Sequence, residues 1–127
     1  MKILIVVDFS TMRRIIMNLL RDLGFNITQV AVDGYTAFPM LQYGYFDFLV
    51  TVWIMPGMTG IELLKAVRAD EKLASLPVLM VTAESKREQI VEAAQAGVNG
   101  YIVKPFTAVT LKEKIDKIFE RVEATAG

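Results

Sequence analysis

The chain has 127 residues, which suits one domain spanning 1–127 and not two. It carries 14 Lys+Arg against 14 Asp+Glu, with no His and no Cys. This composition excludes a disulfide framework, a thiolate metal site, a cysteine nucleophile and a Ser-His-Asp triad.

The even charge balance leaves no electrostatic footprint for nucleic acid. No run approaches the roughly 18 apolar residues of a membrane span, and the first residues read as a strand and not as a signal peptide. The expectation is a soluble cytoplasmic protein with neither a nucleic-acid nor a membrane partner. A hydrophobic content of 54% predicts an unusually apolar core or some apolar surface.

Residues 2–7 (KILIVV) are a β-branched apolar run and read as a strand. Residues 10–23 carry Met12, Ile15, Ile16, Leu19, Leu20 and Leu23 at helical spacing, and Gly24 stops that helix. A short strand of mixed polarity follows over 27–32, then a short helix over 36–43, where Pro39 is tolerated only near the first turn. Residues 46–53 read as a strand, Pro56-Gly57 as a turn, and 60–69 as a helix through Ile61, Leu64 and Val67. Residues 77–82 (PVLMVT) are a strand, 85–96 a helix closed by Gly97, and 100–104 the last strand. A long amphipathic helix over 107–122 carries Leu111, Ile115, Ile118, Phe119 and Val122, and the tail, 122–127, is expected to fray.

Five strands thus alternate with five helices. The runs KILIVV, FLVTV and PVLMV are apolar on both faces, as parallel strands covered on both sides must be. Right-handed βαβ connections predict an α/β three-layer sandwich, and the mixed strand 27–32 suits an edge. In such sheets ligands bind at the carboxyl ends of the strands, which points to Val7-Asp8, Val52-Trp53, Thr82-Ala83 and Lys104-Pro105.

At these residues the chain resembles the receiver domains of two-component signalling, and among them the CheY-type chemotaxis response regulators. The stretches that carry the resemblance are DFSTMRR (8–14), LPVLMVTAE (76–84), EAAQAG (92–97) and GYIVKPFTA (100–108). The resemblance runs the whole chain in register and implies a flavodoxin-like (βα)5 fold with parallel strand order 2-1-3-4-5. It implies a chemistry of five parts. An acidic pair on the first strand holds Mg²⁺, and an Asp ending the third strand attacks a phosphodonor. A Thr and a Lys ending the fourth and fifth strands contact the phosphoryl oxygens.

Thr82 and Lys104 match their parts. The acidic pair has become Val7-Asp8, the acceptor position is Val52, and the polar position two residues later is Ile54. Valine cannot form an acyl phosphate, so the expectation is a receiver unable to take phosphate. Mg²⁺ binding should be weak or absent, with no other cofactor and only a vestigial Asp8 for a metal. Two carboxylates exchanged for valines at one site suggest a redesigned scaffold, with a natural pseudo-receiver as the alternative.

Lys104 then faces Val7, Val52 and Ile54, with Asp8 as its one possible counter-charge. An amine in an apolar pocket is the arrangement that forms Schiff bases, so retro-aldol chemistry is one reading, an idle inherited lysine the other. Thr82 and Tyr101 resemble the family's switch pair, and Trp53 beside the site is a packing residue or a reporter. The resemblance makes the peptide before Pro105 cis, aiming Lys104 inward. It also implies a partner face of Lys86, Ile90, Ala94, Tyr101, Val103, Thr107 and Lys114. That face would bind the flagellar motor switch protein and the chemotaxis histidine kinase weakly. Met17, Val30, Val32, Tyr35, Tyr43 and Tyr45 break the amphipathic pattern on neighbouring elements, so self-association through that side is expected. Glu113 and Lys117 read as a solvated helix pair.

Overall fold

The structure is a computed structural model; it describes residues 1–83 and 86–126, the side chains of 123–126 excepted. Strands β1 (Lys2–Val6), β2 (Ile27–Ala31), β3 (Phe48–Val52), β4 (Val78–Thr82) and β5 (Gly100–Val103) alternate with five helices. These are α1 (Ser10–Asp22), α2 (Gly34–Tyr43), α3 (Gly60–Ala69), α4 (Arg87–Gln95) and α5 (Ala108–Ala126). All strand pairs are parallel, in the order β2-β1-β3-β4-β5. This is the flavodoxin-like order that the resemblance implies, and the alternating pattern accounts for its three layers. No described helix is long and apolar enough to cross a membrane.

Every residue of β3 and β4 is buried, and in β1 only Lys2 is partly exposed. Such strands need cover on both faces. Right-handed crossovers put α1 on one face and α2, α3 and α4 on the other, because only the β1-to-β2 step runs against the direction of the rest. α1 buries Ile16 and Leu20, α3 buries Leu64 and Val67, and α5 buries Leu111, Ile115 and Ile118. The Phe119 ring of α5 meets Phe48 of β3 edge-on, with centroids 5.2 Å apart. β2, with mostly exposed residues, is an edge strand.

Several details depart from the sequence pattern. α2 begins two residues earlier than residue 36, at Gly34, so Pro39 lies past the first turn. The start is pulled back by Asp33, whose side chain caps the helix by accepting the Thr36 amide at 2.7 Å. Pro39 is exposed, where water can satisfy the carbonyl its missing N–H leaves free. Met17 is half-buried and packs against the core, so it does not belong to the exposed side. Among the described residues the helical ion pair is Lys112–Asp116 at 2.8 Å and not Glu113–Lys117. The expected helix start at Ser85 lies outside the described residues. α5 stays helical through Ala126, past the apolar spacing that ends at Val122.

The register aligns the strand ends. Val6 is level with Ala31 and Thr51, Val52 with Val81, and Thr82 with Val103. The residues that follow therefore emerge along one rim.

Candidate functional site

At this rim a cleft of about 520 Å³ opens between the ends of β1, β3, β4 and β5. Val7, Asp8, Val52, Ile54, Thr82 and Lys104 all line it, together with Met12, Trp53 and Met55. Val7 and Val52 are 1% and 5% exposed, so their methyl groups form wall and not rim. Ile54 is 69% exposed and sits at the mouth. Thr82 is buried, while Asp8 and Lys104 are half-buried.

Backbone hydrogen bonds hold these strand ends in place. The Val7 amide donates to the Ala31 carbonyl at 3.1 Å, Trp53 to Val81 at 3.2 Å and Lys104 to Thr82 at 2.8 Å. The turn after β3 closes when the Gly60 amide donates to the Trp53 carbonyl at 2.7 Å. A Cβ at residue 60 would stand 2.1 Å from the Val52 carbonyl oxygen, so glycine there is what lets α3 start so close beneath the cleft. The Lys104-Pro105 peptide is cis.

The side chains around the cleft divide the charges unevenly. Arg13 of α1 donates from one guanidinium nitrogen to the carbonyls of Val7 at 2.8 Å and Asp8 at 3.0 Å. The Lys104 ammonium has no ion pair and no hydrogen bond among the described residues, and Asp8 does not reach it. Trp53 is 8% exposed and stacks edge-on with Tyr101, centroids 6.4 Å apart. Tyr101 itself is half-buried and does not line the cleft.

A hard cation asks for about six oxygen ligands. Among the described residues of the lining only Asp8 offers a carboxylate, Val7 and Val52 present methyl groups, and Arg13 engages the two carbonyls that follow β1. Among the described residues no group of three or more acidic, His or Cys side chains could hold a metal. The set does not fit Mg²⁺. Amine catalysis at Lys104 also needs a base, and among the described lining residues the only carboxylate is Asp8.

The residues named for the partner face lie along α4, β5 and α5. Lys86, Ile90 and Ala94 are exposed; Val103 and Lys114 are half-buried. Thr107 has a structural role, since its hydroxyl accepts the Thr110 amide at 3.2 Å and starts α5.

Sequence reasoning missed Met12, Met55 and Arg13. Met12 has the spacing of its helix's apolar stripe, and helical spacing cannot tell the core side from the neighbouring cleft side. Nothing in the sequence signals the bonds of Arg13 to β1.

The chain matches the response regulator receiver domain family over residues 3–116. It is 78% identical over 122 residues to chemotaxis protein CheY-3 of Vibrio cholerae serotype O1, covering 96% of this chain and 94% of that one. It is 79% identical over 122 residues to chemotaxis protein CheY of Pseudomonas aeruginosa, covering 96% and 98%. Among solved structures, Vibrio cholerae chemotaxis protein CheY4 superposes with a TM-score of 0.85 at 34% identity, over 92% of this chain and 97% of that one. A solved structure from Chloroflexus aurantiacus J-10-fl gives 0.87 at 30% identity, over 92% and 95%.

Proposed function

The chain belongs to the response regulator receiver family, and from that premise we propose a CheY-like regulator of chemotaxis signalling whose cleft takes no phosphoryl group. The chemotaxis assignment rests on the relatives at 78% and 79% identity, both described as chemotaxis proteins. The observation that carries the rest is Val52, an alkyl side chain 5% exposed at the end of β3. An alkyl group has no lone pair with which to attack phosphorus, so no acyl phosphate can form there. Val7, Val52 and Ile54 stand where the family chemistry asks for oxygen donors, and the cleft reads as a redesigned one on an otherwise ordinary receiver scaffold.

The partner face then works at a constant, basal level. Lys86, Ile90, Ala94, Tyr101, Val103, Thr107 and Lys114 offer it to a flagellar motor switch protein and to a chemotaxis histidine kinase, both bound weakly. With no phosphoryl group, no ligand distinguishes the inward from the outward state of Tyr101, and the Thr82–Tyr101 pair receives no input.

The test is incubation with acetyl phosphate and Mg²⁺, read by intact-protein mass spectrometry and by binding to a motor switch protein. No phosphoryl adduct and an unchanged affinity are expected. The triple variant Val7→Asp, Val52→Asp, Ile54→Asn should gain both the adduct and a phosphodonor-dependent rise in affinity. An adduct on the unaltered chain overturns the reading.

A second reading concerns assembly. Val30 and Val32 are 39% and 47% exposed on the uncharged β2 side, beside Tyr35 at 63%, and this apolar edge favours pairing of two copies.

A further inference from the structure

We propose that the cleft at the strand ends binds small monocarboxylates with an apolar body, such as arylalkanoates, with the carboxylate on Lys104. This rests on the reading of the cleft as one without an acceptor carboxylate, because an aspartate at position 52 would itself neutralise that lysine.

Size and lining come first. Ligand sites are concave, mostly apolar and a few hundred cubic ångströms in volume, with a small number of polar groups that fix orientation. This cleft has about 520 Å³, with walls of Val7, Val52, Met12, Trp53 and Met55. It continues past Lys104 into a groove of about 430 Å³ shared with Met12, Ile15 and Phe106. The two spaces meet at the lysine, so a molecule lying along them would run its carbon chain over methionine, valine and indole and end beside the amine.

Charge selects the head group. Among the described residues Lys104 lines the cleft and Arg13 bonds the backbone beside it. Arg13 is engaged by the carbonyls of Val7 and Asp8, whereas the Lys104 ammonium has no partner among the described residues. A half-buried ammonium among methyl groups gains more from an anion than the same group in water, since charge-assisted hydrogen bonds strengthen where the dielectric is low. The Asp8 carboxylate opposes an anion, and it fixes the orientation. The head must sit on the side of Lys104 and Thr82, and a dianion should be rejected.

Isothermal titration of the protein with 4-phenylbutyrate and with the neutral 4-phenylbutanamide tests this, with emission from Trp53, the only tryptophan, as a second readout. The acid should bind with a Kd below about 1 mM, and the amide about tenfold more weakly. Lys104→Met should bring the acid down to the level of the amide, and Lys104→Arg should retain the preference. Asp8→Asn should tighten the acid alone, and Val52→Asp should abolish the preference. Equal affinity for acid and amide, unchanged binding in Lys104→Met, or no saturable signal overturns the proposal. None of these outcomes bears on phosphoryl uptake, which the acetyl phosphate experiment reads separately.

Discussion

Asp33 stands at the corner where β2 gives way to α2, and its Oδ1 accepts the Thr36 amide at 2.7 Å. That bond satisfies one of the amides a helix start leaves unpaired, and it favours the ionised carboxylate. The Thr36 backbone and side-chain hydrogen bonds hold the Asp33 pKa below its ordinary 3.8. The sign follows from linkage. A carboxylate with a depressed folded pKa contributes stability that is fully present above 3.8 and is lost as pH falls through the folded value. Asp33→Ala should therefore lower the Tm at pH 7, and the gap between the two proteins should close in acid below 3.8. Circular dichroism melts of both proteins across that range check it, and a gap that widens in acid refutes it. Val52 works by the opposite physics. Its side chain has nothing to titrate and nothing with which to accept a hydrogen bond.

α3 shows how one side chain ties elements together. Arg68 in its last turn makes five hydrogen bonds, all to the loops that lead into β4 and β5. Two go to the Gly97 carbonyl, one each to those of Ala74 and Leu76, and one to Asn99 Oδ1 at 2.7 Å. Asn99 in turn accepts the Val78 amide at 2.9 Å, so the guanidinium sets where β4 begins. Partial burial pushes the Arg68 pKa down without uncharging it. Arg68→Met should lower stability by about 2–3 kcal/mol, because it leaves partly buried carbonyls unpaired. Arg68→Lys should recover only part of this, since an ammonium lacks the planar fork. Urea denaturation measures both, and a loss within experimental error for Arg68→Met removes the idea. None of these ties was legible in the sequence, since their partners lie up to 31 positions away. The strands were legible because burial on both faces demands apolar runs, and the helices because their stripes repeat at 3.6 residues. The start of α2 was misplaced because the cap at Asp33 outweighs the warning from Pro39. Met17 was misread because its helix face borders both core and solvent, and the sequence pattern shows only that border.

At the scale of the whole molecule, the sheet presents two unequal edges. β5 packs against α5, whose Ile118 reaches to 2.6 Å of where a Cβ on Gly100 would stand. β2 has no such cover on its outer side. Its five residues, ITQVA, include no charge, and Ile27, Val30 and Val32 are 58%, 39% and 47% exposed. Natural sheets blunt an open edge with lysine, proline, a bulge or a covering helix, and an apolar edge lacking these is a template for another strand. Tyr35, 63% exposed at the start of α2, is a further large apolar side chain open to solvent. The expected result is a symmetric dimer in which two β2 strands pair across a two-fold axis. It should grow with concentration, with an apparent mass that rises toward twice the monomer in multi-angle light scattering. Val30→Lys places an ammonium at the centre of that edge, where pairing would bury it against its own symmetry mate. This variant should remain monomeric over the same range, with its fold and its cleft unchanged, because the residue 30 side chain is 39% exposed and does not line the cleft. A chain that stays monomeric as it is concentrated, or a dimer indifferent to Val30→Lys, would show that the free edge of β2 is not where copies meet.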